Sequence, residues 1–211
     1  MTRVRVRQHV NPLSKKYQTP IKPPLWTEIY ANFHQPLYLD IGCGRGRFLL
    51  EMAQLQPEFN FLGIEIRDSL VVEANNISKN LGLTNLYYLF GNVNIEFNLL
   101  LASLPLNVLK YITIQFPDPW FKKRHIKRRV VQPELVNNLA IYLVDGGKVL
   151  VQSDVEDIAK EMCDRFSEHP NFEKAHQETW LDTNPLPVAT EREKATFAKN
   201  EPVYRVLFTK V

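Results

Sequence analysis

Tyr38-Leu39-Asp40-Ile41-Gly42-Cys43-Gly44-Arg45-Gly46-Arg47-Phe48 sets three alternate glycines between a short apolar run and a segment with helical spacing. Strand, tight turn and helix is the reading, because glycine lets the backbone turn sharply and lets a ligand lie against main-chain atoms. Phe48, Leu49, Met52, Ala53 and Leu55 carry the helix on as one apolar face. Further short apolar runs lie at 60–65, 86–90, 111–116 and 147–152, each suited to a strand buried on both faces. Between them come amphipathic stripes: Leu70, Val71, Ala74 and Ile77, then Leu135, Val136, Leu139, Ala140 and Leu143, then Val155, Ile158, Ala159, Met162 and Phe166. This alternation predicts an α/β fold on a mostly parallel sheet. A sixth strand is expected at 172–178, a polar loop at 183–200 and a closing strand at 203–210.

Residues 1–36 differ: they are basic, carry five prolines and show no sustained period, so they read as an arm before a domain at 37–211. With 45% hydrophobic and 23% charged residues the chain has enough apolar matter to fold alone. The basic start lacks the apolar stretch of a signal peptide, and no run approaches 18 apolar residues, which predicts a cytoplasmic protein. Cys43 and Cys163 stand far apart, and the five histidines form no ligand pair, so no disulfide framework and no metal site are expected. A net charge of +3 says little, but its distribution says more. Arg3, Arg5, Arg7, Lys15, Lys16 and Lys22 crowd the arm, while Lys122, Lys123, Arg124, Lys127, Arg128 and Arg129 crowd eight consecutive positions, a pattern suited to phosphate contacts.

The spacing Gly42-x-Gly44-x-Gly46 departs from the G-x-G-x-x-G that delivers a helix N-terminus to a pyrophosphate, and Asp40 precedes it. Both points disfavour a dinucleotide. S-adenosylmethionine, with a sulfonium and an ammonium and no phosphate, suits an acid at the strand end better. Glu65 ends the second strand and can accept two parallel hydrogen bonds from a ribose diol. Asn92, after the third strand, can donate to and accept from an adenine edge. After the fourth strand comes Phe116-Pro117-Asp118-Pro119-Trp120-Phe121-Lys122, where two prolines hold an acid beside an aromatic plane and dense positive charge. Asp118 is the candidate catalytic-site residue, and Trp120 or Phe121 the candidate base-stacking ring.

Residues 116–136, FPDPWFKKRHIKRRVVQPELV, resemble the signature of the bacterial tRNA (guanine-N7-)-methyltransferase family. DIGCGRGRF, FLGIEIR, SDVEDIAKEM and TEREKATFAKNEPVYR follow in that family's order, so the resemblance covers roughly 37–211. It implies the class I methyltransferase fold, a Rossmann-like, doubly wound, seven-stranded sheet whose final strand is antiparallel. It further implies S-adenosylmethionine as donor and a guanosine of the tRNA variable loop as acceptor. By motif, Asp40, Gly42, Gly44, Gly46, Glu65, Asn92 and Asp118 would meet the donor, and Lys122, Asp154, Thr190, Glu191, Arg192 and Glu193 the tRNA. Two positions depart from the pattern: Asn92 where members often carry Asp, and Asn200 where they often carry Gly, a change that a left-handed backbone tolerates in Asn. Asp154 also suits a helix N-cap, and both readings stay open. So do a monomer and a homodimer. An exocyclic-amine nucleic-acid methyltransferase and a non-catalytic RNA-binding protein on the same scaffold are the rival readings.

Overall fold

The computed structural model describes residues 10–211, so Arg3, Arg5 and Arg7 lie outside the described residues. Seven strands, β1 (Leu37–Ile41), β2 (Asn60–Glu65), β3 (Leu86–Phe90), β4 (Leu109–Gln115), β5 (Lys148–Ser153), β6 (Phe172–Lys174) and β7 (Tyr204–Lys210), form one sheet in the order β3-β2-β1-β4-β5-β7-β6. β1 to β5 pair in parallel and β7 runs antiparallel to both its neighbours. The helices are α1 (Trp26–Ile29), α2 (Arg47–Leu55), α3 (Asp68–Asn80), α4 (Phe97–Ala102), α5 (Pro133–Tyr142), α6 (Glu156–Ser167) and α7 (Glu191–Phe197).

Alternation along the strands divides the core into two layers. Leu37, Leu39 and Ile41 of β1 face one layer, shared with α1, α4, α5 and α6. Tyr38 faces the other, built with Phe48, Leu49 and Met52 of α2 and Val71 and Ala74 of α3. Helices on both faces of a mostly parallel sheet make the fold doubly wound, within the α/β class the sequence pattern predicts and as the family resemblance implies.

Four local outcomes differ from the sequence reading. The expected polar loop at 183–200 contains α7, which starts at the N-cap Thr190. The sixth strand stops at Lys174; bends follow it, and the Lys174 ammonium donates forward to the carbonyl of Thr179 at 3.1 Å. α4 follows a left-handed Glu96, a start with none of the usual capping signals. From Ile21 onward the proline-rich segment is part of the core: Ile21, Trp26 and Tyr30 are buried, Trp26 donates to Ser103 Oγ at 3.0 Å, and Tyr30 donates to the carbonyl of Phe61 at 3.0 Å. Asn200, by contrast, takes the left-handed conformation its residue type tolerates, with φ of 57°.

Candidate active site

The strand order reverses between β1 and β4, and at the carboxyl ends of β1, β2 and β4 opens a cleft of about 140 Å³. This is where open α/β sheets bind ligands. Gly42, Glu65, Asn92, Gln115, Asp118 and Trp120 are among the residues that line it. Val10 and Pro12 close one side, so the arm's described start is a wall of the site.

The glycine turn is built backbone first. Gly42 and Cys43 both donate to the carbonyl of Ile64, at 2.8 and 3.1 Å, which ties the turn to the end of β2. Gly42, Gly44 and Gly46 all have positive φ. At Gly46 sterics add a second demand, because a Cβ there would lie 2.5 Å from the ring of Tyr88, whose hydroxyl donates to the Gly46 carbonyl at 2.6 Å. Burial, then Asp40 and Glu65, push the Cys43 thiol pKa well upward, which disfavours the thiolate a nucleophile needs.

Glu65 is buried, and its carboxylate accepts from Gly44 N at 2.9 Å, Arg67 N at 3.0 Å, Arg67 Nε at 2.8 Å and Arg67 NH2 at 3.1 Å. The Arg67 guanidinium fork occupies both carboxylate oxygens, so a ribose diol at Glu65 would have to take the place of that fork. Burial alone lowers the Arg67 pKa, but Glu65 and then Asp118 outweigh it, so the net shift is upward and Arg67 lies in the field of both acids.

Asp40 stands behind the cleft wall. It accepts from Thr113 Oγ1 at 2.7 Å and Gln115 Nε2 at 3.4 Å, and burial, partly offset by those two bonds, raises its pKa to about 6. It does not line the cleft itself; its link to the cleft is the bond from Gln115, which does. Asn92 lines the cleft, but its amide donates to the carbonyls of Pro12 at 3.1 Å and Tyr17 at 3.2 Å, and its Oδ1 accepts from Asn94 N at 3.1 Å. The side chain thus holds the arm rather than presenting its edge to a base.

Asp118 is held more tightly than two prolines alone require. Phe116 and Trp120, which bracket the Pro-Asp-Pro run, both sit in the left-handed region, at φ of 50° and 42°. Such conformations cost of order 1–3 kcal/mol each and persist only where the surroundings impose them. The Phe116 amide donates to the Gln152 carbonyl at 2.8 Å, Arg129 Nε donates to the Pro119 carbonyl at 3.0 Å, and the Arg128 guanidinium stacks 4.9 Å above the Trp120 ring. The basic run forms a short 3-10 helix at Lys123–Arg128 with Lys122 exposed just before it. Arg129 departs from a phosphate-facing role, being paired with Glu161 of α6.

Around α7 the motif residues part company. Thr190 caps the helix by accepting from Glu193 N at 3.1 Å. Exposed Glu191 pairs with Arg47 of α2, and exposed Arg192 pairs with Asp154. Asp154 is therefore an ion-pair partner and not the N-cap of α6, which is Val155. Glu193 is fully buried. The sequence reading missed Arg67, Gln115 and Arg205. A polar residue at the end of an apolar strand, at 115, and a cation two places after Glu65 were the available signals. Among the described residues no group of three or more His, Cys, Asp or Glu is placed to hold a metal, and no helix among them is long and apolar enough to cross a membrane.

Residues 34–206 match the family model described as "Putative methyltransferase". The chain is 62% identical over 208 residues to the tRNA (guanine-N(7)-)-methyltransferase of Microcystis aeruginosa, covering 99% of each chain, and 60% identical to that of Trichormus variabilis, covering 99% of this chain and 97% of the relative. Among solved structures the 16S rRNA methyltransferase KamB superposes with a TM-score of 0.60 at 17% identity, over 87% of this chain and 91% of that one, which shows the shared fold. The chain belongs to the tRNA (guanine-N(7)-)-methyltransferase family.

Proposed function

We propose that this chain transfers a methyl group from S-adenosylmethionine to N7 of a guanosine in the variable loop of tRNA, in the cytoplasm. The observation that carries the reading is the convergence of Glu65 and the strained Pro-Asp-Pro segment on one cleft at the switch point of the sheet. The donor supplies an electrophilic methyl on a sulfonium. The residues suit it in this way: a ribose diol would take over the paired oxygens of Glu65 from the Arg67 fork, Gly42 removes side-chain bulk from the turn, and Asp118 adds a second carboxylate to the lining. Asn92 contributes by pinning the arm across one side of that pocket.

N7 of guanine has a free lone pair and no proton, so this chain needs no strong base and no nucleophilic thiol. Its residues orient. Holding two reactants in line is worth ~7–11 kcal/mol in well-positioned systems. Asp118 accepts from the ring and amino N–H groups of the guanine and stabilises the positive charge that grows on the base. The exposed lysines of the basic run, with Lys122, meet phosphates, and the Asp154–Arg192 pair on the rim beside Thr190 and Glu191 meets the RNA.

The test is incubation of purified chain with methyl-labelled donor and unmodified tRNA, followed by digestion to nucleosides. The label is expected in 7-methylguanosine, and to vanish when 7-deazaguanosine replaces the target. Label that survives that replacement would instead mark transfer to an exocyclic amine. Asp118→Ala is expected to lower turnover at saturating donor and tRNA by on the order of a hundredfold, and near-normal turnover would remove Asp118 from the chemistry.

A further inference from the structure

Glu193 comes from a motif whose Glu191 and Arg192 lie at the surface, yet its side chain is 1% exposed and bonded to Arg205, itself 1% exposed, at 2.8 Å. Around this pair runs a buried polar row that crosses three neighbouring strands. Arg205 Nε donates to Gln152 Oε1 at 3.1 Å, and Gln152 Nε2 donates to Gln115 Oε1 at 2.8 Å and Glu193 Oε2 at 3.2 Å. The row follows the sheet register, in which Gln115 pairs with Gln152 and Gln152 with Arg205. Gln115 lines the donor cleft. At the other end Arg205 donates to the Asp182 carbonyl at 2.9 Å, and Asn184 donates to Glu193 at 2.8 Å, so both hold the loop that leads into α7.

We infer that Glu193 does not touch the RNA, and that Glu193 and Arg205 are positioning residues that fix the 182–190 loop and the first turn of α7, where the Arg192–Asp154 pair meets the tRNA. The inference rests on the proposed tRNA reading. Three observations support it. A carboxylate with this burial, and with Arg205, Gln152 and Asn184 as donors, has its acceptor sites turned inward. Its own backbone N–H closes the Thr190 cap, so moving the side chain moves the cap. The neighbouring Arg192, one residue back, points the other way, to Asp154 at the surface.

The experiment compares wild type, Glu193→Gln, Arg205→Met, the combination of the two, and Arg205→Lys. For each, tRNA KM, kcat and affinity for S-adenosylhomocysteine are measured. Each neutralising single variant leaves one buried charge without its partner, whereas the combination leaves none. The expectation is a rise in tRNA KM of at least tenfold in each single variant, donor-site affinity within about threefold of wild type, and recovery of most of the tRNA KM effect in the combination. A combination no better than Glu193→Gln, with donor affinity intact, would show that Glu193 contacts RNA directly and would overturn the inference. Should the singles fail to fold, the combination against wild type decides by the same criterion. Should it fail too, Arg205→Lys decides: it keeps the charge but not the fork, so raised tRNA KM with unchanged donor affinity supports the inference, and no change in either overturns it. Absence of tRNA methylation in the wild type would overturn the proposed function instead, a separate outcome.

Discussion

Gly46 and Gly44 share a motif and a left-handed backbone, yet the structure gives them unequal costs for a single added methyl. Gly44→Ala meets only the backbone penalty at φ of 60°, since its Cβ would have nothing within 4 Å. A left-handed non-glycine residue costs about 1–2 kcal/mol. Gly46→Ala meets that penalty at φ of 72° and also places a carbon 2.5 Å from two ring atoms of Tyr88. The ring has little room to give way. Tyr88 is 1% exposed, its hydroxyl is held by the Gly46 carbonyl, and its backbone N–H and carbonyl are both bonded to Asn75, at 3.0 and 2.8 Å. Overpacking of this kind costs roughly 1–3 kcal/mol, so the total is about 2–5 kcal/mol. At roughly 2–4 °C per kcal/mol for a chain of this size, Tm should fall by about 4–20 °C in Gly46→Ala and about 2–8 °C in Gly44→Ala. Differential scanning fluorimetry with and without S-adenosylhomocysteine reads both. Equal falls, or a larger one in Gly44→Ala, would refute the assignment of Gly46 to close packing.

Asp40 predicts a pH signature. Because its folded carboxyl is raised to about 6, it binds a proton more tightly folded than unfolded, so its destabilising effect is absent below about pH 4 and grows to roughly 3 kcal/mol as pH passes 6. Asp40→Asn should therefore gain stability relative to wild type between pH 4 and 7.5, and a difference that does not move with pH in chemical denaturation would exclude this. Asn92→Ala removes two bonds that pin the arm, each worth about 0.5–1.5 kcal/mol, and should speed tryptic cleavage at Lys15 or Lys16 on the order of tenfold; an unchanged rate would show that the arm is held by its apolar contacts alone. Replacing Lys122, Lys123 and Lys127 with Ala should lower the slope of log affinity for tRNA against log salt by about 0.7–0.9 for each phosphate no longer neutralised, and an unaltered slope would place the RNA backbone elsewhere.

Much of the fold and part of the site could be read from the sequence because the two share one signal. A parallel strand buried on both faces is a short apolar run, and the rules of the doubly wound sheet then place whatever follows such a run at the cleft. Glu65 and Asp118 are legible in this way. α7 is not, because Thr183 to Asn200 is polar and polarity reads as loop. Its Thr-x-x-Glu start is the sequence of a capping box, in which the Glu turns back to the N-cap amide. Here Glu193 turns inward to Arg205 instead, a contact between residues 12 apart that no local pattern encodes. Arg205 itself sits on a strand that alternates, at a position where burial of a cation is unexpected unless a partner is known.

The buried row from Asp40 through Gln115 and Gln152 to Arg205 and Glu193 bears on why such groups lie inside at all. Thermodynamically it is a poor way to fill a sheet, since desolvation of an ion pair roughly cancels its attraction and apolar side chains of the same volume are often as stabilising or more so. What an apolar filling could not supply is direction. Hydrogen bonds with donors and acceptors fixed by strand register hold Gln115 at the cleft and the 182–190 loop beside α7 in one geometry, and methyl transfer to an unprotonated nitrogen depends on little besides geometry. A loosened row should therefore show itself first as weaker tRNA engagement, and as reduced stability only when a charge is left without its partner.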